Sequence, residues 1–236
     1  MDASNSEAPG RARREAGLFG RRKGKTLRRY QAGLIETLLP RLRVDLGRGL
    51  EAPNALYPAK PTELHLEIGF GGGEHLVADA VAHPERGYVG CEPFVNGVAK
   101  LLAEIETRDL QNIRIHPGDA GELIDALPDS SLAGVCLLYP DPWPKRRHRE
   151  RRFVSDAILT RLARVMRPGA ELRFATDIDD YAGWTLVRVL RSANFIWKAK
   201  TSDDWLKPWS GWSGTRYEDK AFREGRRPVY LTFIRR

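Results

Sequence analysis

A doubly wound α/β fold built on a mostly parallel sheet is what this sequence predicts. Three observations point to it. Short apolar runs alternate with amphipathic segments from residue 64 onward, the run Leu132–Tyr139 is nearly all apolar, and a glycine cluster follows the first run directly. Strand patterns alternating with helix patterns imply parallel βαβ units. A strand covered on both faces reads as a continuous hydrophobic run.

Residues 1–29 carry nine Lys/Arg against three acids and few apolar side chains. This predicts a mostly disordered basic arm ahead of a single domain over residues 30–236. A short helix is expected from Tyr30 to Leu39, with Leu34, Leu38 and Leu39 on one face. Pro40, Pro53, Pro58 and Pro61 then make 40–62 an irregular connection. Strands are expected at Leu64–Ile68, Tyr88–Cys91, Asn112–His116, Leu132–Tyr139, Glu171–Ala175, Phe195–Ala199 and Pro228–Ile234. Helices are expected at Glu74–Ala82, Val95–Thr107, Ser155–Met166 and Asp179–Arg191, with Arg167-Pro168-Gly169 ending the third of them.

The composition narrows the function. The chain has 236 residues, 42% of them hydrophobic, which suits one globular domain. It lacks a run of 18 apolar residues and a secretory leader pattern, so a cytoplasmic protein without a membrane span is expected. Cys91 and Cys136 sit inside strand-like runs, and no disulfide scaffold is indicated. His65, His75, His83, His116 and His148 are scattered with no ligand spacing, so no metal site is expected. The net charge is +8. Basic residues gather in the arm, in Lys145–Arg152 (KRRHRERR), and in Thr215–Arg236, where seven Lys/Arg face three acids. Such clusters suit a polyanionic partner, nucleic acid above others.

The stretch Leu64–Leu76 reads LHLEIGFGGGEHL. Glu67 ends an apolar strand, and Gly69, Gly71 and Gly73 follow at every second position before a helix. Ligands of doubly wound sheets bind at the carboxyl ends of the strands, and glycine lets the backbone approach a ligand closely. The spacing fails the dinucleotide fingerprint, because Glu74 stands where G-x-G-x-x-G needs its third glycine. A carboxylate at the strand end repels a pyrophosphate but suits a cationic sulfonium and amino-acid group. Glu92 after the second strand can accept both hydroxyls of a ribose. Asp119 after the third can meet an adenine edge. In this pattern the sequence resembles the class I methyltransferase superfamily. The resemblance implies S-adenosylmethionine as cofactor and a Rossmann-like sheet of seven strands, the last one antiparallel.

Past the fourth strand comes PDPWPKRRHRERRF. Prolines on both sides of Asp141 stiffen its turn. Trp143 offers a face for a base, and Lys145 with the arginines after it suits phosphates. Ala175-Thr176-Asp177 ends the fifth strand. Thr215-Arg216-Tyr217-Glu218 is expected in the loop before the last strand, near Trp205, Trp209 and Trp212. Those tryptophans suit either an unstacked base or a packed lid.

Together PDPWPKRRHRERRF, ATDIDDYA and GTRYEDKA resemble the bacterial tRNA (guanine-N7)-methyltransferase family over most of the chain from Tyr30 onward. The resemblance implies methyl transfer to the guanine at position 46 of the tRNA variable loop. It implies cofactor contacts at Glu67, Gly69, Gly71, Gly73, Glu92, Asp119 and Asp141. Substrate contacts are implied at Lys145, Asp177, Thr215, Arg216, Tyr217 and Glu218. Asp141 is the expected catalytic residue, either stabilising charge on the methylated ring or selecting guanine through its N1–H and N2–H₂. The partner expected is tRNA, with no obligatory protein partner and a monomer or homodimer as the assembly.

Overall fold

Strand β1 (Leu64–Ile68) is the axis of the sheet, pairing in parallel with β2 (Gly87–Cys91) on one side and β4 (Leu132–Leu138) on the other. The computed structural model describes residues 22–48 and 50–236. With β3 (Ile113–His116), β5 (Met166–Thr176), β6 (Phe195–Trp197) and β7 (Val229–Arg235), the seven strands take the order β3-β2-β1-β4-β5-β7-β6. β7 runs antiparallel to both β5 and β6, as the resemblance implies for the last strand.

Alternate residues of a strand point to opposite faces, and the core divides accordingly. Tyr88 packs with Leu76, Val98 and Leu102, whereas its neighbour Val89 packs with Leu123, Leu159 and Leu162. The first cluster is built by α1 (Arg29–Thr37), α2 (Leu39–Leu42), α3 (Glu74–Ala82) and α4 (Val95–Arg108). The second is built by α5 (Ala120–Ala126), α6 (Asp156–Val165) and α7 (Asp179–Arg191). Two further helices, α8 (Asp203–Leu206) and α9 (Arg216–Arg223), lie between β6 and β7. Among the described residues no helix is long and apolar enough to cross a membrane.

The structure departs from the sequence expectations in a few places. β5 starts at Met166, so the Arg167-Pro168-Gly169 stretch is a register shift inside a strand rather than a helix end. Leu132 pairs with Met166 and Gly134 with Glu171, leaving extra residues on β5. Gly169 absorbs the kink with φ +83°. The helix α5 is an addition to the expected elements, and Asp119 is its N-cap, accepting from Gly121 N at 2.6 Å. Thr215 opens α9 instead of sitting in a loop: its hydroxyl accepts from Glu218 N at 3.2 Å, the Thr-x-x-Glu capping pattern.

Residues 1–21 of the expected arm lie outside the described residues. The stretch after them runs along the start of α4. Val95 N donates to the Arg22 carbonyl, Gly24 N donates to Asn96 Oδ1, and Asn96 Nδ2 donates to the Lys25 carbonyl.

At Gly97, α4 touches the glycine loop so closely that a Cβ would stand 2.1 Å from the Gly71 carbonyl oxygen. Gly97→Ala is therefore expected to destabilise the fold by about 1–3 kcal/mol, the usual cost of overpacking. The check is urea unfolding: a lower midpoint at unchanged slope.

Candidate active site

Strand order reverses between β1 and β4, and at such a reversal the two connections leave in opposite directions and open a crevice at the carboxyl edge. The loop after β1 carries the glycines. Gly69, Gly71 and Gly73 have φ of +70°, +58° and +83°, a conformation that side chains rarely adopt. Space beside Gly69 is open: among the described residues, its chain neighbours aside, no heavy atom lies within 4 Å of where a Cβ would stand. Gly73 has none to spare, since a Cβ would meet Leu101 Cδ1 at 2.8 Å.

Five strands end in an acid at this edge, and each of the five is handled differently. Glu67, buried at the end of β1, accepts from His75 Nδ1 at 2.7 Å. Burial alone would depress the His75 ring, but the Glu67 carboxylate, with Asp79, more than offsets it and holds the imidazole pKa above its usual value. Glu92 after β2 accepts from Gly71 N at 2.8 Å and Phe94 N at 2.9 Å. Burial nevertheless pushes its carboxyl above the ordinary range, with Asp141 adding to the rise and Arg216 opposing it. Asp119 after β3 caps α5. Asp177 after β5 pairs with Arg226 Nε at 2.6 Å. Asp141 after β4 faces solvent, and among the described residues nothing donates a hydrogen bond to it. Desolvation by the surrounding chain raises its carboxyl above the usual aspartate range.

The turn holding Asp141 is stiff in more ways than its prolines. Tyr139 and Trp143 both have positive φ, +49° and +43°, which costs about 1–3 kcal/mol per residue and persists only where the surroundings enforce it. Arg152 does much of the enforcing. Its Nε donates to the Pro142 carbonyl at 2.7 Å, its guanidinium reaches the backbone and carboxylate of Asp180 on α7, and it lies over the rings of Tyr181 (4.8 Å) and Trp184 (5.1 Å). Its side chain is fully buried. The sequence pattern suits the whole basic run to phosphates; Arg152 is instead an internal brace. Lys145, Arg146 and Arg147 are exposed, while Arg151 stacks on the Trp143 ring at 5.0 Å.

Opposite this turn, α9 leans over the glycine loop. A Cβ on Gly71 would meet Arg216 at 3.1 Å and Tyr217 at 3.4 Å. Arg216 and Tyr217 thus face the cleft, whereas Glu218 is buried and accepts from Trp212 Nε1 and the Tyr230 hydroxyl. Trp209 donates to Thr232 Oγ1 at 2.8 Å and packs edge-on against Trp212 and Tyr230. Of the two uses open to the tryptophans, packing under the loop is the one Trp209 and Trp212 adopt. Trp205 also packs against the core.

Sequence reasoning misses His75 and Arg152. The signal for Arg152 is its neighbour Phe153, which starts the apolar run toward α6. For His75 it is a position in the first turn of α3, two residues past Gly73, facing back to Glu67.

A family model described as "Putative methyltransferase" matches residues 61–231. A tRNA (guanine-N(7)-)-methyltransferase of Nitrobacter winogradskyi is 54% identical over 95% of this chain and 88% of its own. Proteins of the same name from Agrobacterium fabrum (54%, over 96% and 98%) and Rhodopseudomonas palustris (53%, over 99% and 94%) match equally well. The chain belongs to the tRNA (guanine-N7)-methyltransferase family. Among solved structures, the 16S rRNA methyltransferase KamB shares the fold with TM-score 0.55 at 18% identity, over 90% of this chain and 98% of that one. TrmN from Thermus thermophilus does so with TM-score 0.51 at 12% identity, over 75% and 45%. The fold class read from the sequence, a Rossmann-like methyltransferase sheet, is the one observed.

Arg152→Met is expected to cost about 1–3 kcal/mol, because the Pro142 carbonyl loses its donor. It should also slow methyl transfer more than it weakens cofactor binding. Arg152→Lys restores the charge but not the fork, so thermal unfolding should recover further than kcat.

Proposed function

We propose that this protein transfers the methyl group of S-adenosylmethionine to N7 of the guanine at position 46 in the tRNA variable loop. One observation carries the reading. Asp141 is the strand-end acid with no donor among the described residues, on a strained and braced turn between the glycine cradle and a basic surface. The family membership and the names of the relatives support the tRNA and the guanine N7; the position rests on the resemblance of the three motifs.

The residues present fit the cofactor. The glycine cradle opens beside Gly69, its rim carries Glu67, Glu92, Asp119 and Asp141, and an acidic rim suits a sulfonium and an ammonium. Glu67 would take the cationic amino-acid end, Glu92 the ribose hydroxyls and Asp119 the adenine edge. When bound, S-adenosylmethionine supplies a methyl group that N7 takes with its in-plane lone pair. N7 carries no proton, so no general base is required. What remains for the protein is alignment and charge stabilisation. Asp141 holds the guanine and stabilises the positive charge that develops on it. Asp177, held by Arg226, is the second carboxylate on the substrate side. Arg216 and Tyr217 contact the nucleotide from above, and Thr215 and Glu218 fix the helix that presents them. Lys145 and the exposed arginines after it hold phosphates. The reading is that of a cytoplasmic enzyme acting without an obligatory partner.

Labelled S-adenosylmethionine with a tRNA transcript should give labelled N7-methylguanine, and a transcript with adenine at position 46 should give none. Label in both transcripts discards the position; label in neither discards the activity. In single-turnover experiments at saturating tRNA, Asp141→Ala should lower the rate by about 10²–10³-fold, the range for loss of one stabilising group. An effect confined to tRNA affinity would refute the catalytic role. Because desolvation raises the Asp141 carboxyl, the rate should fall with decreasing pH while still above the ordinary aspartate pKa of about 4, as the carboxylate protonates. Asp141→Asn should abolish that acid limb.

A further inference from the structure

We propose that His75 is a positioning residue that couples the cofactor cradle to the tRNA-facing helix α9, an inference that rests on the function proposed above. The ring does two things at once. Its Nδ1 donates to Glu67 Oε2 at 2.7 Å, and its face packs on Trp212 with centroids 5.0 Å apart. Both side chains of the ion pair are buried. Glu67 belongs to the strand that runs straight into the glycine loop.

From Trp212 the chain of contacts continues. Its indole N–H donates to both oxygens of Glu218, at 2.8 and 2.9 Å, and the Tyr230 hydroxyl donates to the same carboxylate. Glu218 lies in the first turn of α9, whose cap is Thr215. The next two residues after that cap, Arg216 and Tyr217, lean over Gly71. The circuit closes on itself: glycine loop, Glu67, His75, Trp212, Glu218, α9, glycine loop. The His75 N–H takes Oε2 and orients the carboxylate for a cation at Oε1, and a cation bound there pulls on the group that holds the ring. Any turn of the ring that follows is felt by Trp212, which packs directly on it.

Coupling between sites needs an element with two arrangements that both ligands bias. We assign that role to the segment around Trp212. It is flanked by Gly211 and Gly214, both at φ +75°. Beside it lies a cleft of about 440 Å³ lined by His75, Asp79, Arg173, Trp209, Trp212 and Ser213. The charged groups that face His75 are Glu67 from β1, Asp79 from its own helix and Arg173 from β5, with Glu218 behind Trp212. A histidine that only filled the core would not need a ring against the loop and a donor on the cofactor carboxylate.

The experiment measures the affinity of the full-length protein for S-adenosylhomocysteine and for an unmodified tRNA transcript, each with and without the other. Wild type should bind tRNA about five-fold or more tightly when S-adenosylhomocysteine is present, and reciprocally. His75→Phe keeps a ring against Trp212 but removes the donor to Glu67. It should weaken S-adenosylhomocysteine binding about ten-fold, the effect of one charge-assisted hydrogen bond. His75→Asn keeps a donor near the Nδ1 position but removes the ring. It should bind S-adenosylhomocysteine nearly as wild type does while the coupling factor falls toward one. A purely structural role would lower both affinities together in both variants. The inference is overturned if wild type binds both ligands without coupling, a result that needs no variant, or if His75→Asn retains the full coupling. Failure of wild type to bind S-adenosylhomocysteine at all would instead remove the proposed function, and this inference with it.

Discussion

The reversal of strand order between β1 and β4 is the constraint on which the rest depends. Parallel strands all finish at the same edge, so whatever follows each strand is delivered to one rim. Here that rim receives five carboxylates, Glu67, Glu92, Asp119, Asp141 and Asp177. Gathering like charges is unfavourable unless each is answered. Four of them are: by an imidazole, by two backbone amides, by a helix start and by a guanidinium. The answer in each case comes from an element that the βαβ path brings there anyway. Among the described residues the fifth, Asp141, has no such answer and faces solvent at this edge, where under the proposed function a ring gaining positive charge would benefit from it.

Leaving a carboxylate open has a mechanical requirement, since a mobile acid orders nothing. The turn around Asp141 meets it by over-determination. The two prolines that flank Asp141, two residues in left-handed backbone and a buried arginine all act within the segment from Tyr139 to Arg152. Arg152 joins the turn to the start of α7 through Asp180 and is sandwiched by Tyr181 and Trp184, so the turn cannot shift without disturbing a packed aromatic cluster. The strain at Tyr139 and Trp143 is held in place by these contacts rather than relieved by them.

Much of this is legible in the amino acids, because period-2 apolar runs, glycine spacing and strand-end acids are local signals. The strands β1 and β4 and the helices α3 and α7 fall within a residue of where their patterns put them. What is not legible depends on partners far away in sequence. Glu218 reads as a substrate contact from its motif, yet Trp212 and Tyr230 bury it. Arg152 is one basic residue among many in its run, and only its burial against Pro142, Tyr181 and Trp184 separates it from its exposed neighbours. The Pro168-Gly169 pair looks like a helix stop, and it becomes a strand irregularity because β4 offers Leu132 as a partner for Met166. The capping pattern at Thr215 is present in the letters, but charged residues dominate α9 (RYEDKAFR) and leave it no apolar stripe to suggest a helix.

Apart from the cations that answer individual acids, the two kinds of charge at the site lie in different places, and under the proposed function that division would orient a substrate. Acids line the crevice at the sheet edge, while Lys145, Arg146 and Arg147 stand on the surface just outside it, a few residues past Asp141 in the same segment. A polyanionic backbone would be repelled from the first region and attracted by the second, so under the proposed function phosphates stay on the basic surface and the neutral base enters. The base that enters becomes cationic on N-methylation, and it then sits where the acids are. Under the proposed function, one short segment would therefore set both the orientation of the incoming nucleotide and the sign of the field that it meets.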